Sequence, residues 1–304
     1  MTRLLSILIL TLSTLILTEG TQAADCAIVD VTELTFSEVD TLGNGGSAAA
    51  DITVSCTEVS ASQVTVCIGI GNASSPTDGG DFILVSGDTD LRFGLYTNDT
   101  AATRWGSAAN PETGSPYLTV LSANGGVEAD IRVHGLVPGG QRQAEKGSYS
   151  GSLPVSLSYQ EESLADCASL SNTGVDSPSL IVTAEVEPNC LIQADDIDFG
   201  TVGLIDAPLT AQGGLEVTCT PGAAYTITMG EGKNFREGSR HMSSDSGMIS
   251  YGLFRDASGN TSWDVPCEGD ASGNDDQPVW GRVPPQQAAP GAYSDTVTVT
   301  INYQ

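Results

Sequence analysis

The stretch Leu180-Ile181-Val182-Thr183-Ala184-Glu185-Val186 alternates apolar and polar residues, placing Leu180, Val182, Ala184 and Val186 on one face of an extended strand. It stands between two copies of one pattern. Upstream, Cys26 is followed 30 residues later by Cys56; downstream, Cys190 is followed 29 residues later by Cys219. Between the cysteines, Leu34-Thr35-Phe36 matches Ile197-Asp198-Phe199, and Ile52-Thr53-Val54-Ser55-Cys56 matches Leu215-Glu216-Val217-Thr218-Cys219. Phe93-Gly94-Leu95-Tyr96 matches Tyr251-Gly252-Leu253-Phe254, with a Trp 11 residues after the Gly in both (Trp105, Trp263). Both copies continue through Val-x-Gly-x-Val-Pro, at residues 133–138 and 279–284. Both close on a Tyr pair ten apart, Tyr149/Tyr159 and Tyr293/Tyr303. So many ordered matches mean two homologous domains.

Each copy reads as strands. Val64-Thr65-Val66 and the run from Val297 to Tyr303 alternate with period two, and Gly/Asn/Asp clusters such as Thr41 to Gly46 punctuate them. No window carries a capped helical stripe. The expected fold is all-β, two tandem immunoglobulin-like β-sandwich domains, both incomplete and completed by donor strands. The expected boundaries are 24–160 and 188–304, joined by a linker over 161–187. Pairing Cys26 with Cys56 and Cys190 with Cys219 closes loops that contribute roughly 3–4 kcal/mol each on the chain-entropy model. Cys67 is assigned to Cys167, tying the linker to the first domain, and Cys267 is left without a partner.

Composition narrows the function. Eleven Lys and Arg against 38 Asp and Glu give a net charge of −27, which repels phosphate backbones and anionic lipids. Nucleic acid and direct membrane insertion are therefore not expected as partners. Arg3, the apolar run Leu4 to Leu17 and the small-residue end Thr21-Gln22-Ala23 read as a secretory signal peptide over 1–23, and export permits disulfides. Only two histidines are present, and no nucleophile elbow, His-Glu-x-x-His or P-loop occurs, so no catalytic residue, cofactor or metal is expected. His134 takes the place of Trp280 and reads as structural filler, while His241 with Arg236 and Arg240 reads as a solvated cationic strand face. Asp195-Asp196-Ile197-Asp198 reads as a turn rather than a calcium loop, and Asp270 to Asp276 has only a weak claim to a cation. The sequons at Asn72, Asn98 and Asn260 mark surface loops.

The second copy stops at Tyr303-Gln304, with no strand after it to close a sandwich. Such a domain leaves an apolar groove and an unpaired edge, carried by Val297, Val299, Ile301 and Tyr303. Residues 180–186 are what a donor strand looks like. Burying Leu180, Val182 and Val186 yields about 5–9 kcal/mol gross, at roughly 1.5–3 kcal/mol each. That is comparable with a domain's whole net stability of about 5–15 kcal/mol. The competing reading is an ordinary linker strand. Only about two residues separate the expected cleavage site from Cys26, so the chain is expected to accept a strand but donate none outward, and to end a head-to-tail fibre.

These motifs (the early Cys, the second Cys, Tyr-Gly-Leu-Phe-x-Asp with its Trp, and the closing Gly-x-Tyr-Ser to Tyr) resemble the spore coat U domain that builds archaic, Csu-type chaperone–usher pili. The resemblance implies an incomplete immunoglobulin-like fold, a periplasmic pilus chaperone holding the open groove, an outer-membrane usher, and a next pilus subunit donating a strand. Two such domains resemble the family's tip adhesin, which implies attachment to an abiotic or host surface, biofilm formation, and a place at the cell surface. The first copy departs at Phe82, where the second has Arg240.

Trp105 to Gly135 spans 30 residues against 18 from Trp263 to Gly281. An insertion around Ser107 to Gly126 is expected to form an adhesive apolar hairpin tip with Tyr117, Leu118, Val120 and Leu121. An edge hairpin folded on its own domain competes with it. Phe82-Ile83-Leu84-Val85 is a weaker candidate, because Leu84 aligns with Met242 in a core strand. A structural coat protein of the cell or spore envelope is the alternative function. A secreted enzyme lacks any catalytic constellation.

Overall fold

A computed structural model describes residues 24–174, 178–270 and 274–304; the expected signal peptide lies outside the described residues. Twelve strands precede Asn189: β1 (Asp25–Val31), β2 (Leu34–Val39), β3 (Gly46–Val59), β4 (Gln63–Ile70), β5 (Thr77–Asp78) and β6 (Asp81–Ser86), then β7 (Thr89–Tyr96), β8 (Tyr117–Ser122), β9 (Gly125–Val137), β10 (Gly147–Glu161), β11 (Asn172–Thr173) and β12 (Ser179–Val186). Eight follow: β13 (Cys190–Ala194), β14 (Leu209–Cys219), β15 (Ala224–Met229), β16 (Arg240–Ser244), β17 (Gly247–Phe254), β18 (Cys267–Asp270), β19 (Asn274–Val283) and β20 (Val299–Tyr303). The one helical turn among the described residues is 3-10, Cys167–Ser169.

The first unit is a sandwich. One run of strands is β1-β3-β9-β7-β6; the other is β8-β4-β10-β12-β2, and the two meet where Ser150 of β10 pairs with Val85 of β6. β10 is long enough to serve two neighbours: Gly147–Pro154 pairs with β12 and Val155–Glu161 with β4. Between the runs lies one core, from Cys26 to Val186, including Phe36, Phe82, Phe93 and Trp105. Period-two alternation produces it, because each strand turns every second side chain inward.

The second unit repeats eight of these twelve strands, without counterparts of β2, β5, β11 and β12 among the described residues. β13-β14-β19-β17-β16 corresponds to β1-β3-β9-β7-β6, and β18-β15-β20 to β8-β4-β10. Its core is separate, built from Cys190, Leu215, Val217, Tyr225, Ile227, Trp263 and Val283 among others. Even the single β6–β10 pair recurs, as the Ser243–Ser294 bridge. Glycine marks the same close approach in both copies: a Cβ on Gly135 would strike Phe36 and Leu34, and one on Gly281 would strike Phe199 and Ile197.

Cross-strand cysteines staple both copies at matching points. Cys26 bonds Cys56 across β1–β3, and Cys190 bonds Cys219 across β13–β14, each with Cα atoms 4.0 Å apart. Cys67 bonds Cys167 over a separation of 100 residues, fixing the segment after β10 to β4. Cys267 is a buried free thiol. β12 passes almost directly into β13. At that joint Asn189 Nδ2 donates to Asp40 Oδ1 (2.9 Å) and the Glu187 amide donates to the Val39 carbonyl (3.1 Å).

Candidate docking groove in the second unit

In the first copy, β12 is not free-standing. It is wedged between two strands, antiparallel to β10 from Gly147↔Val186 to Pro154↔Ser179 and parallel to β2 at Val182↔Leu34 and Ala184↔Phe36. Leu180, Val182, Ala184 and Val186 are all buried in the first core, while Ile181 on the opposite face is half in solvent. On the flanking strands, Leu34, Phe36, Val39, Leu153 and Val155 are sealed from water.

The second copy has counterparts of these flanking residues and, among the described residues, no counterpart of β12. Ile197, Phe199 and Val202 stand where Leu34, Phe36 and Val39 stand in the first; Val297, Val299 and Ile301 stand for Leu153, Val155 and Leu157. Ile197, Phe199, Val297, Val299 and Ile301 pack against the second core but stay half-exposed. Val39 is 0% exposed and its counterpart Val202 is 44% exposed, with Leu204 beyond it at 82%. Residues 196–200 pair with no strand, and 293–298 make one bridge, to Ser243. The expected edge strand is therefore shorter than 297–303: the ladder to β15 begins at Val299, and Tyr303 at its end is exposed. Among the described residues, 196–200 have no strand partner and the half-exposed Ile197, Phe199 and Val297 are the candidate lining of an acceptor groove.

Residues 293–295 are held by polar ties. Tyr293 donates its hydroxyl to the Ala289 carbonyl (2.8 Å), and Tyr149 does the same to Glu145 (3.0 Å) in the first copy. A tyrosine corner of this kind pins the entry of the strand to the loop before it. Asp295 accepts from Tyr251 Oη (2.8 Å) and Asn234 Nδ2 (3.0 Å). Burial, then the Asp295 hydrogen bond and charge, pushes the Tyr251 hydroxyl well above the usual tyrosine range.

Two expectations need correction. The cationic face at Arg236, Arg240 and His241 is not a solvated cluster: Arg240 is 6% exposed. Its guanidinium donates to the Gly230 carbonyl (2.9 Å) and to Asp264 Oδ1 (2.6 Å), filling the place that Phe82 fills in the first copy. Only Arg236 reaches solvent fully, and His241 is half-buried with Nδ1 3.1 Å from the Ser239 carbonyl. The second correction concerns Tyr117, Leu118, Val120 and Leu121. They form β8, an edge strand on β4 with a counterpart, β18 on β15, so they are not an insertion peculiar to the first copy. Strand pleating also divides them: Tyr117 (its ring tilted against Trp105, centroids 4.9 Å apart) and Leu121 turn toward the core, leaving Leu118 and Val120 for the outer face. Most of the residues gained by the first copy lie before β8, where Thr113 and Ser107 are buried.

The remaining residues fall as follows. Phe82 and Leu84 are buried in β6, and His134 and Trp280 are half-buried at matching places on β9 and β19. Asp198 caps a turn, accepting from the Gly200 amide (2.8 Å). Part of the Asp270 to Asp276 loop lies outside the described residues. Among the described residues no group of three or more His, Cys, Asp or Glu side chains is placed to hold a metal, and no helix is long and apolar enough to cross a membrane.

The fold recurs in known structures. The crystal structure of the CsuC–CsuE chaperone–tip adhesion subunit pre-assembly complex from archaic chaperone–usher Csu pili of Acinetobacter baumannii matches with a TM-score of 0.51 at 17% identity, covering 91% of this chain and 99% of that one. The CupB6 tip adhesin of Pseudomonas aeruginosa matches with a TM-score of 0.39 at 11% identity, covering 91% and 92% of the two chains. No curated protein matches the sequence. The spore coat protein U domain matches twice, over residues 12–156 and 177–300. Two copies of one sandwich, matched along nearly the whole chain, place this protein in the spore coat protein U domain family.

Proposed function

We propose that the chain is a non-enzymatic, two-domain subunit at the tip of a chaperone–usher pilus. In this scheme it is exported by its signal peptide. A periplasmic chaperone covers its second domain until the outer-membrane usher exchanges that cover for a strand of the next subunit. The first domain faces outward at the cell surface and attaches to an abiotic or host surface, seeding biofilm. One observation supports this: β12 pairs alongside the buried Leu34, Phe36 and Val39, whereas among the described residues no strand pairs with Ile197, Phe199 or Val202. On this reading the first domain is closed by its own strand and the second takes one from a partner, the asymmetry of a subunit joined to a fibre at one end. An acidic surface of charge −27 suits an exported protein that must not adhere to anionic lipid on the way.

The test has two parts. A synthetic peptide of the Ser179–Val186 sequence, present while the protein refolds, raises the melting temperature of the second domain and leaves the first unchanged. At 100 times its Kd such a ligand contributes about 2.7 kcal/mol. No shift after refolding with peptide refutes the open groove. Immunogold labelling against residues 24–160 then marks the ends of thin fibres on the native cell. Even labelling over the envelope would instead make the chain a coat protein.

A further inference from the structure

Glu161, the last residue of β10, reaches back to the start of the first domain. Its Oε1 accepts from the Ala24 nitrogen (3.2 Å) and the Ser60 amide (3.0 Å), and its Oε2 accepts from Ser60 Oγ (2.5 Å). Those Ser60 hydrogen bonds hold the carboxyl below its ordinary range, so it is a carboxylate at neutral pH. None of the four ion pairs among the described residues involves it. Ala24 is 7% exposed and belongs to the first core, an enclosed place for a chain entry. In the second copy the residue two before the first cysteine is Pro188, which has no N–H to donate, and there the chain runs through from β12. A carboxylate thus meets the nitrogen at position 24 in the copy that follows the leader-like run, where a cut is expected.

We propose that Glu161 is a receptor for the α-ammonium group released at Ala24, so that removal of residues 1–23 creates an ion pair that fastens the N-terminal edge of the first domain. The inference rests on reading 1–23 as a signal peptide. Cleavage adds water across the Ala23–Ala24 amide: the oxygen leaves with Ala23 as a carboxylate, and the nitrogen stays with Ala24 and is protonated. No oxidant or reductant is needed. A neutral amide donor becomes a cation facing a carboxylate, and charge-assisted hydrogen bonds are roughly twice as strong as neutral ones.

The two readings are separable. Intact mass of the exported protein reports the cut, and a mature chain not beginning at Ala24 overturns both the leader boundary and the receptor. The receptor itself is tested on chain released from a fusion so that it begins at Ala24, beside the same chain with one glycine added in front, each with and without Glu161→Gln. Gln keeps one acceptor oxygen for the two backbone nitrogens, removes the charge and turns the second acceptor into an amide donor facing Ser60 Oγ, a change common to both chain forms. In the Ala24 form, E161Q lowers the first domain's melting temperature and speeds acylation of the α-amine at neutral pH on the order of tenfold, the factor of one pKa unit. In the glycine-extended form it changes both far less. Equal effects in the two forms, or an α-amine equally reactive with and without Glu161, overturn the proposal.

Discussion

Leu180 and Ile181 are neighbours on β12, yet truncating them has unequal consequences. Leu180 is 0% exposed, paired with Leu153 and sunk into the first core; Ile181 is 45% exposed on the other face. Leu180→Ala removes a fully enclosed side chain and leaves a cavity beside Leu153 of β10, at a cost of about 2–5 kcal/mol. Ile181→Ala loses only strand preference and a partial contact, under about 1 kcal/mol. In a unit of this size each kcal/mol moves the melting temperature by about 2–4 °C, so Leu180→Ala lowers it by about 4–20 °C. Differential scanning calorimetry of the whole chain resolves the effect, because the two cores are separate and the second supplies an internal reference. The Leu180→Ala shift appears in the first unit's transition alone, and Ile181→Ala leaves both nearly in place. If the two variants shift the first transition equally, or if Leu180→Ala moves the second instead, β12 does not close the first core and the asymmetry argued for the groove collapses.

Arg240→Ala strands the Gly230 carbonyl and destabilises the second unit by about 1–3 kcal/mol. Asp264→Asn costs less than about 1 kcal/mol, since the Asp264 side chain is 67% exposed and the pair is screened; urea melts of both variants measure the ratio. Replacing Cys67 and Cys167 together by Ser releases a loop closed over 100 residues and lowers the first unit's stability by about 2–5 kcal/mol. Thiol titration of the unmodified protein finds Cys267 alone, reactive only after unfolding. The Tyr251 hydroxyl is raised in the folded state, so its contribution is complete below the unfolded value of about 10 and fades as pH climbs from there toward the native value. Tyr251→Phe therefore flattens the alkaline loss of the second unit's melting temperature, and an unchanged slope refutes the assignment. Leu118→Asp with Val120→Asp, on the outer face of β8, weakens attachment to plastic while fibres still form; undiminished attachment removes β8 from the adhesive surface.

The repeat was readable because what the copies share is local and periodic. Cys26 and Cys56 face each other in one register pair, as do Cys190 and Cys219, so constant spacing in sequence reflects constant geometry across two strands. β12 was readable for the same reason: a strand buried on one face writes its alternation into the chain. Arg240 was not, because charge type says nothing of burial when the pocket comes from Gly230, Met229 and Asp264, brought together by the fold. β18 hid likewise. Cys-Glu-Gly-Asp carries no apolar alternation to mark it as the counterpart of β8, and the Trp-to-Gly interval does not distinguish a longer loop before a strand from an added strand. The groove lies between these cases. Its residues are those of the first copy with Ile for Leu and Val for Leu, and nothing in Ile197, Phe199 or Val202 distinguishes them from core. Only the missing neighbour does so. The contrast lies in the surroundings: β12 pairs beside Leu34 and Phe36, while among the described residues no strand pairs with 196–200, and this shows only when the two copies are set side by side.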